Sequence, residues 1–233
     1  MQRQIQYGTR SRVFWVWLRV PLSIAEAVFT KPAYTAKKFM GERVVSLGTL
    51  WLGLNWTWIA LEVAIAVGTR ARGAKANVQD QGTQVMLWAV IILSLTASGW
   101  MRHLKLADMH IAESWLRPAS VALLAAGLVV RVTAILTLGK WFTANVATHA
   151  AQRIQRAGLY RLVRHPSYLG MEIIFLAIGL HTHDWACLAA TFIPPTLAVL
   201  YRIHVEEAAL LGAFGEEYAD YMRTTKRLIP GVY

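Results

Sequence analysis

Two clusters of polar side chains, each at the edge of an apolar segment, hold the groups in this sequence that could do chemistry. The first runs from Gly158 to Gly170 and contains Tyr160, Arg161, Arg164, His165, Pro166 and Tyr168. Arg161, Arg164 and His165 bring cationic donors, the tyrosines bring flat faces with hydroxyls, and Pro166 stiffens the chain where a helix starts. That mixture suits an anionic or zwitterionic small molecule held at a membrane surface. The second cluster runs from Arg202 to Leu210, after another apolar run. On a helix Arg202, Glu206 and Leu210 fall at i, i+4 and i+8 on one stripe, while Glu207 is turned away by one residue. An exposed Arg202–Glu206 pair would be an ordinary solvated face worth about 0.3–0.5 kcal/mol. Where an apolar helix emerges, however, adjacent charges are expensive unless something pairs with them. Two such clusters separated by a hydrophobic hairpin can meet in space, and their meeting point is the candidate site.

The elements that must position them are membrane helices. Of 233 residues, 56% are hydrophobic, and they fall in long blocks broken by short basic segments. A bilayer span needs roughly 20 mostly apolar helical residues. The formal charge of +11 therefore reads as basic flanks of spans facing anionic lipid, and nucleic acid is set aside as a partner. Cys187 is the single cysteine, which excludes an intrachain disulfide, and no Cys/His spacing fits structural zinc. Arg3, Arg10 and Arg12 precede a modest apolar stretch without a small-residue cleavage site, so no signal peptide is expected.

In chain order, Val13–Phe29 carries Arg19, Pro21 and Glu26 and either crosses the bilayer or lies along its surface. Thr30–Arg43 reads as a connection. Val44–Val67 is long enough to span, and its Asn55 and Glu62 must face protein. A polar loop, Thr69–Gly82, leads to the span Thr83–Trp100, whose interfacial end is marked by Trp100, Arg102, His103 and Lys105. Leu104–Arg117 is a surface segment, and Pro118 opens the span Ala119–Leu138. That span carries Arg131 near its middle, either as a functional group or as the structural partner of Glu62 or Glu172. After the loop Gly139–Ala157 and the first cluster, Leu169–Leu180 and Trp185–Tyr201 form a hairpin, its return kinked at Pro194 and Pro195. The turn holds His181, His183 and Asp184, too few ligands for a metal. A charged helix from Ile203 to Tyr221 and a basic strip, Arg223–Tyr233, close the chain, with Tyr218 and Tyr221 as interfacial anchors. The sequence thus divides into 1–43, three helices over 44–138, and a catalytic region over 139–233. The expected fold is an all-α integral membrane protein with about five to six spans, a short carboxy-terminal hairpin and a cytoplasmic tail helix completing a pocket. If Val13–Phe29 spans, most loop lysines and arginines lie on the side of the two clusters, the bias of a cytoplasmic site.

The motifs Arg164-His165-Pro166-Ser167-Tyr168-Leu169-Gly170, Glu206-Glu207-Ala208-Ala209-Leu210, Phe214-Gly215-Glu216-Glu217-Tyr218 and Ile229-Pro230-Gly231 resemble those of the isoprenylcysteine carboxyl methyltransferase family of integral membrane enzymes. The resemblance reaches upstream to Arg131 and Leu138-Gly139-Lys140-Trp141-Phe142, covering roughly the last hundred residues. It implies S-adenosyl-L-methionine as methyl donor, in a pocket lined by Tyr160, His165, Tyr168, Leu169, Gly170, Glu206, Glu207 and Leu210. It also implies Arg131 and Arg202 near the reacting groups, with Glu206 or Glu207 holding the donor's ammonium. The implied partner is a lipophilic or lipidated acceptor reached from the membrane lipid. Its methylated group is a carboxylate of isoprenylcysteine type, or the N, O or S atom of a phospholipid or other small molecule. For an amine or thiol acceptor a base would be required, with Glu207 or His165 as candidates. A reductase using NADPH on sterol-like substrates is one rival, disfavoured because a phosphate-bearing cofactor prefers cations where Glu206 and Glu207 stand. Gly139, Gly212 and Gly215 form no GxGxxG pattern to support a Rossmann site. A non-enzymatic lipid-binding or transport protein is the other rival.

Overall fold

The computed structural model describes residues 46–73, 77–78, 82–142, 147–148 and 153–233. The Val13–Phe29 helix, the Thr30–Arg43 connection and the charge bias that depends on them lie outside the described residues. The chain folds into helices α1 (Leu47–Gly73), α2 (Thr83–Met101), α3 (Glu113–Leu138), α4 (Pro166–His181), α5 (Trp185–Phe214) and α6 (Glu216–Thr224). A two-residue antiparallel pair, β1 (Asn77–Val78) with β2 (Ala147–Thr148), places Asn77 opposite Thr148. Helices α1, α2, α3 and α5 are long and apolar enough to cross a membrane, and α4 is a shorter apolar helix between them. The protein is an all-α, multi-pass integral membrane protein.

Several boundaries differ from the sequence expectation, each for a local reason. Helix α1 runs past Val67 to Gly73, through Thr69–Arg72, where no glycine or proline interrupts a helix. Pro118 lies inside α3 rather than opening it. The helix starts at Glu113, whose acid suits the amino-terminal dipole and which pairs with Arg117 at 2.8 Å. At its position Pro118 forfeits one backbone bond, to the Ser114 carbonyl. The return of the hairpin and the expected tail helix are one continuous helix, α5, that passes through both Pro194 and Pro195. The break falls at Gly215, where φ is 54°, a left-handed value that glycine adopts without strain.

The core forms where α3 lies along α4 and α2 along α5, with Leu124, Ile174, Phe175 and Val199 fully enclosed. Gly127 and Gly170 set the α3–α4 distance. A Cβ on Gly170 would stand 2.8 Å from the Gly127 carbonyl oxygen and 2.8 Å from the Arg131 backbone nitrogen. Small residues allow this approach between membrane helices, and van der Waals contact is the main force holding them. We expect Gly170→Ala to lower stability by about 1–3 kcal/mol, read as a fall in the thermal midpoint in detergent. An unchanged midpoint would mean that the crossing has slack the geometry does not show.

At the end of the bundle away from the polar clusters, Asp184 ties two connections together. Its Oδ1 caps α5 by accepting from the Cys187 amide (2.9 Å), and its Oδ2 accepts from the Ala107 amide in the α2–α3 loop (2.8 Å). Two backbone bonds run alongside, Met109 N–H to the His183 carbonyl and Trp185 N–H to the Ala107 carbonyl. Among the described residues no group of three or more metal-binding side chains occurs.

Candidate active site

At the other end of the bundle the two polar clusters do meet, around a cavity of about 140 Å³. Helix α4 begins at Pro166, as its fixed φ favours, which sets His165, Ser167 and Tyr168 at the mouth of the hairpin. Helix α5 brings Arg202, Glu206 and Leu210 to the same wall, the stripe that helical spacing predicts. The Arg202 Nε donates to the Tyr168 hydroxyl (2.7 Å), which donates to Glu206 Oε2 (2.9 Å). Arg202 Nη1 donates to Thr83 Oγ1 (2.8 Å), tying the relay to the start of α2. Glu206 is half-buried and shares the cavity wall with His165, so its carboxylate does not stand apart in open solvent.

Arg131 also faces the cavity, and its partner is Glu62 rather than Glu172. The guanidinium grips that carboxylate at both oxygens, Nε to Oε1 at 2.5 Å and Nη2 to Oε2 at 2.8 Å, and donates to Ser167 Oγ at 2.9 Å. Both partners are buried, which is tolerable only with such bidentate geometry.

Glu207 is drawn into a different environment from its neighbour. Its Oε1 accepts from Arg164 Nε (2.8 Å) and lies 3.3 Å from His165 Nε2, while its Oε2 accepts from Arg227 Nε (2.8 Å). Arg164 goes on to donate to the carbonyls of Met222 and Thr225 at the end of α6. The strip after α6 is laid against the first cluster, with the amides of Arg164 and His165 donating to the carbonyls of Lys226 and Arg227. Glu207 therefore fastens the tail beneath the cavity and does not line it. Leu169 likewise packs against the core, and Gly170 sits at the α3–α4 crossing; neither lines the cavity. Tyr160, His165, Tyr168, Glu206, Leu210, Arg131 and Arg202 do.

Two tyrosines read from sequence as interfacial anchors belong to this wall instead. Tyr218 and Tyr221 are buried and meet edge to face, ring centroids 5.9 Å apart. The Tyr221 hydroxyl donates to the Tyr160 carbonyl (2.6 Å), and the Arg156 guanidinium lies over its ring at 5.5 Å. Their i, i+3 spacing on α6 was the available signal: it puts both on one helix face. Burial pushes all three phenols of this wall upward, helped at Tyr160 and Tyr218 by the nearby Glu206 charge, and Tyr221 to about 12. The tyrosines are thus neutral hydrogen-bonding walls at physiological pH.

The sequence profile of the isoprenylcysteine carboxyl methyltransferase family matches residues 120–212. The protein-S-isoprenylcysteine O-methyltransferase of Tribolium castaneum is 30% identical over 118 residues, 50% of this chain and 42% of that protein. Methanethiol S-methyltransferase 1 of Bradyrhizobium diazoefficiens is 38% identical over 72 residues, 31% of this chain and 24% of that protein. The matches thus span less than half the length of either relative. A solved structure of the eukaryotic intramembrane Ras methyltransferase ICMT aligns at a TM-score of 0.47 and 21% identity, over 95% of this chain and 67% of that one. The profile match takes in Arg131, the whole first cluster and the Arg202–Leu210 stripe, and over that stretch the chain is similar to the isoprenylcysteine carboxyl methyltransferase (ICMT) family.

Proposed function

We propose that the protein is a membrane methyltransferase that uses S-adenosyl-L-methionine to methylate a lipophilic acceptor, with carboxyl O-methylation as the reaction. The observation that carries this reading is the convergence of Glu206 with a wall of tyrosines and arginines on one cavity. The donor set fits the cofactor: a carboxylate for its ammonium, guanidinium groups for its carboxylate, and aromatic faces for its adenine and sulfonium. Glu206 would hold the ammonium, Arg153 at the wall would face the carboxylate, and Tyr160, Phe214 and Tyr218 would flank the ring. When bound, the cofactor supplies an electrophilic methyl group on sulfur.

The chain's own residues contribute placement. Arg202, braced by Tyr168 and Thr83, and Arg131, braced by Glu62, form a rigid cationic wall that would orient an acceptor carboxylate. Such an acceptor is already anionic and needs no base, so alignment is the main aid, worth up to ~7–11 kcal/mol of barrier. The neutral tyrosines and Leu210 exclude water from the same space. The acceptor reaches the cavity from the bilayer, and the site faces the cytoplasm.

A thiol acceptor is the second reading, favoured by the methanethiol methyltransferase relative and by one contact. His165 lines the cavity with its Nε2 against Glu207, the base-and-orienter pairing that proton abstraction requires.

One titration tests the cofactor reading against its rivals. S-adenosylhomocysteine at a hundred times its dissociation constant should stabilise the purified protein by about 2.7 kcal/mol, with no shift from NADPH. A shift with NADPH alone would favour a reductase, and no shift with either a non-enzymatic lipid-binding protein.

A further inference from the structure

Glu172 is a buried carboxyl midway along α4 that the proposed chemistry leaves unused. Among the described residues no cation contacts it. Arg131 of α3 is held by Glu62 of α1, and Arg202 and Glu206 of α5 are joined through Tyr168. One oxygen of Glu172, Oε2, lies 2.6 Å from Thr196 Oγ1 on α5, while Oε1 is buried without a hydrogen-bond partner. The same Thr196 Oγ1 lies 2.7 Å from the Phe192 carbonyl oxygen.

A threonine hydroxyl has one proton and two close oxygen neighbours here. Whichever it serves, the other contact would press two unprotonated oxygens together, unless Glu172 brings a proton of its own. An ionised carboxylate would in addition leave a charged oxygen bare in apolar surroundings, far costlier than a bare neutral carbonyl. One proton on Glu172 removes both difficulties.

We propose that Glu172 is held as the un-ionised acid and donates to Thr196, whose hydroxyl donates to the Phe192 carbonyl, locking α4 to α5 one helical turn from Tyr168. The lock falls where α5 needs reinforcement. Pro194 and Pro195 have no amide proton, so the Ala190 and Thr191 carbonyls lose their backbone partners in that turn. Glu172 is a positioning residue in this arrangement, setting the two helices that carry Tyr168, Arg202 and Glu206. The inference does not depend on which cofactor the cavity takes.

Infrared difference spectroscopy of the full chain near neutral pH, wild type minus Glu172→Gln, tests it. The carbonyl band of an un-ionised carboxyl should be present in the wild type and absent from Glu172→Gln, whose amide N–H takes over donation and keeps the thermal midpoint. In Thr196→Val the band should persist but move to higher frequency, because the acid loses its acceptor. A difference spectrum with carboxylate bands alone overturns the proposal, as does a carboxyl band that Thr196→Val leaves unmoved.

Discussion

Glu206→Ala should abolish the stabilisation by S-adenosylhomocysteine while leaving the protein folded. The side chain is half-buried and accepts the Tyr168 hydroxyl, so its removal should lower folding stability by only about 0.5–1.5 kcal/mol. For a bound ammonium the loss is larger. Removing one partner of a desolvated charge pair costs about 3–5 kcal/mol, on the order of a hundredfold to several thousandfold in affinity. Calorimetric titration of the variant with S-adenosylhomocysteine measures this directly. Wild-type affinity would remove Glu206 from the cofactor site and, with it, the strongest argument for the methyl donor.

The neighbouring residue should behave in the opposite way. Glu207→Ala leaves the enclosed Arg164 guanidinium without its carboxylate and releases Arg227 as well. An uncompensated buried charge costs about 3–5 kcal/mol, a large share of the roughly 5–15 kcal/mol that holds a domain together. At about 2–4 °C per kcal/mol for a chain of this size, the thermal midpoint without any ligand should fall by about 6–20 °C. A midpoint within a degree or two of wild type would show that the tail is fastened by other contacts. Adjacent acids with opposite phenotypes, one in binding and one in folding, would be hard to obtain from any other arrangement of α5.

The contrast between these two acids was partly legible in the sequence. Helical spacing put Glu206 on the stripe of Arg202 and Leu210 and turned Glu207 aside, as the fold has it. The family motif, read as a string, placed both in the pocket, because a motif does not say which way a side chain faces. Arg131 was legible as a charge that must have a partner; choosing Glu62 over Glu172 needed the α1–α3 packing. The spans were readable from hydropathy, since α2 and α4 lie within a residue or a few of where apolar runs put them. What local pattern could not give is the role of the tail. Tyr218 and Tyr221 look like interfacial aromatics until Arg164, more than fifty positions earlier, is seen holding the end of α6. The merging of hairpin and tail into α5 escapes the sequence for a simpler reason: the apolar run gives way to charged residues from Arg202 onward, and a change of side-chain polarity among good helix formers does not end a helix.

The Asp184 clasp has a mechanical consequence. It pins the α2–α3 loop to the α4–α5 turn at one extremity of the bundle, whereas the cavity opens at the other. The 16 residues of α4 separate them by about 24 Å at 1.5 Å per residue. Because α4 is also held against α3 near its first turn, at Gly127 and Gly170, it is fastened at two heights, and the Tyr168 end keeps its register with Arg202.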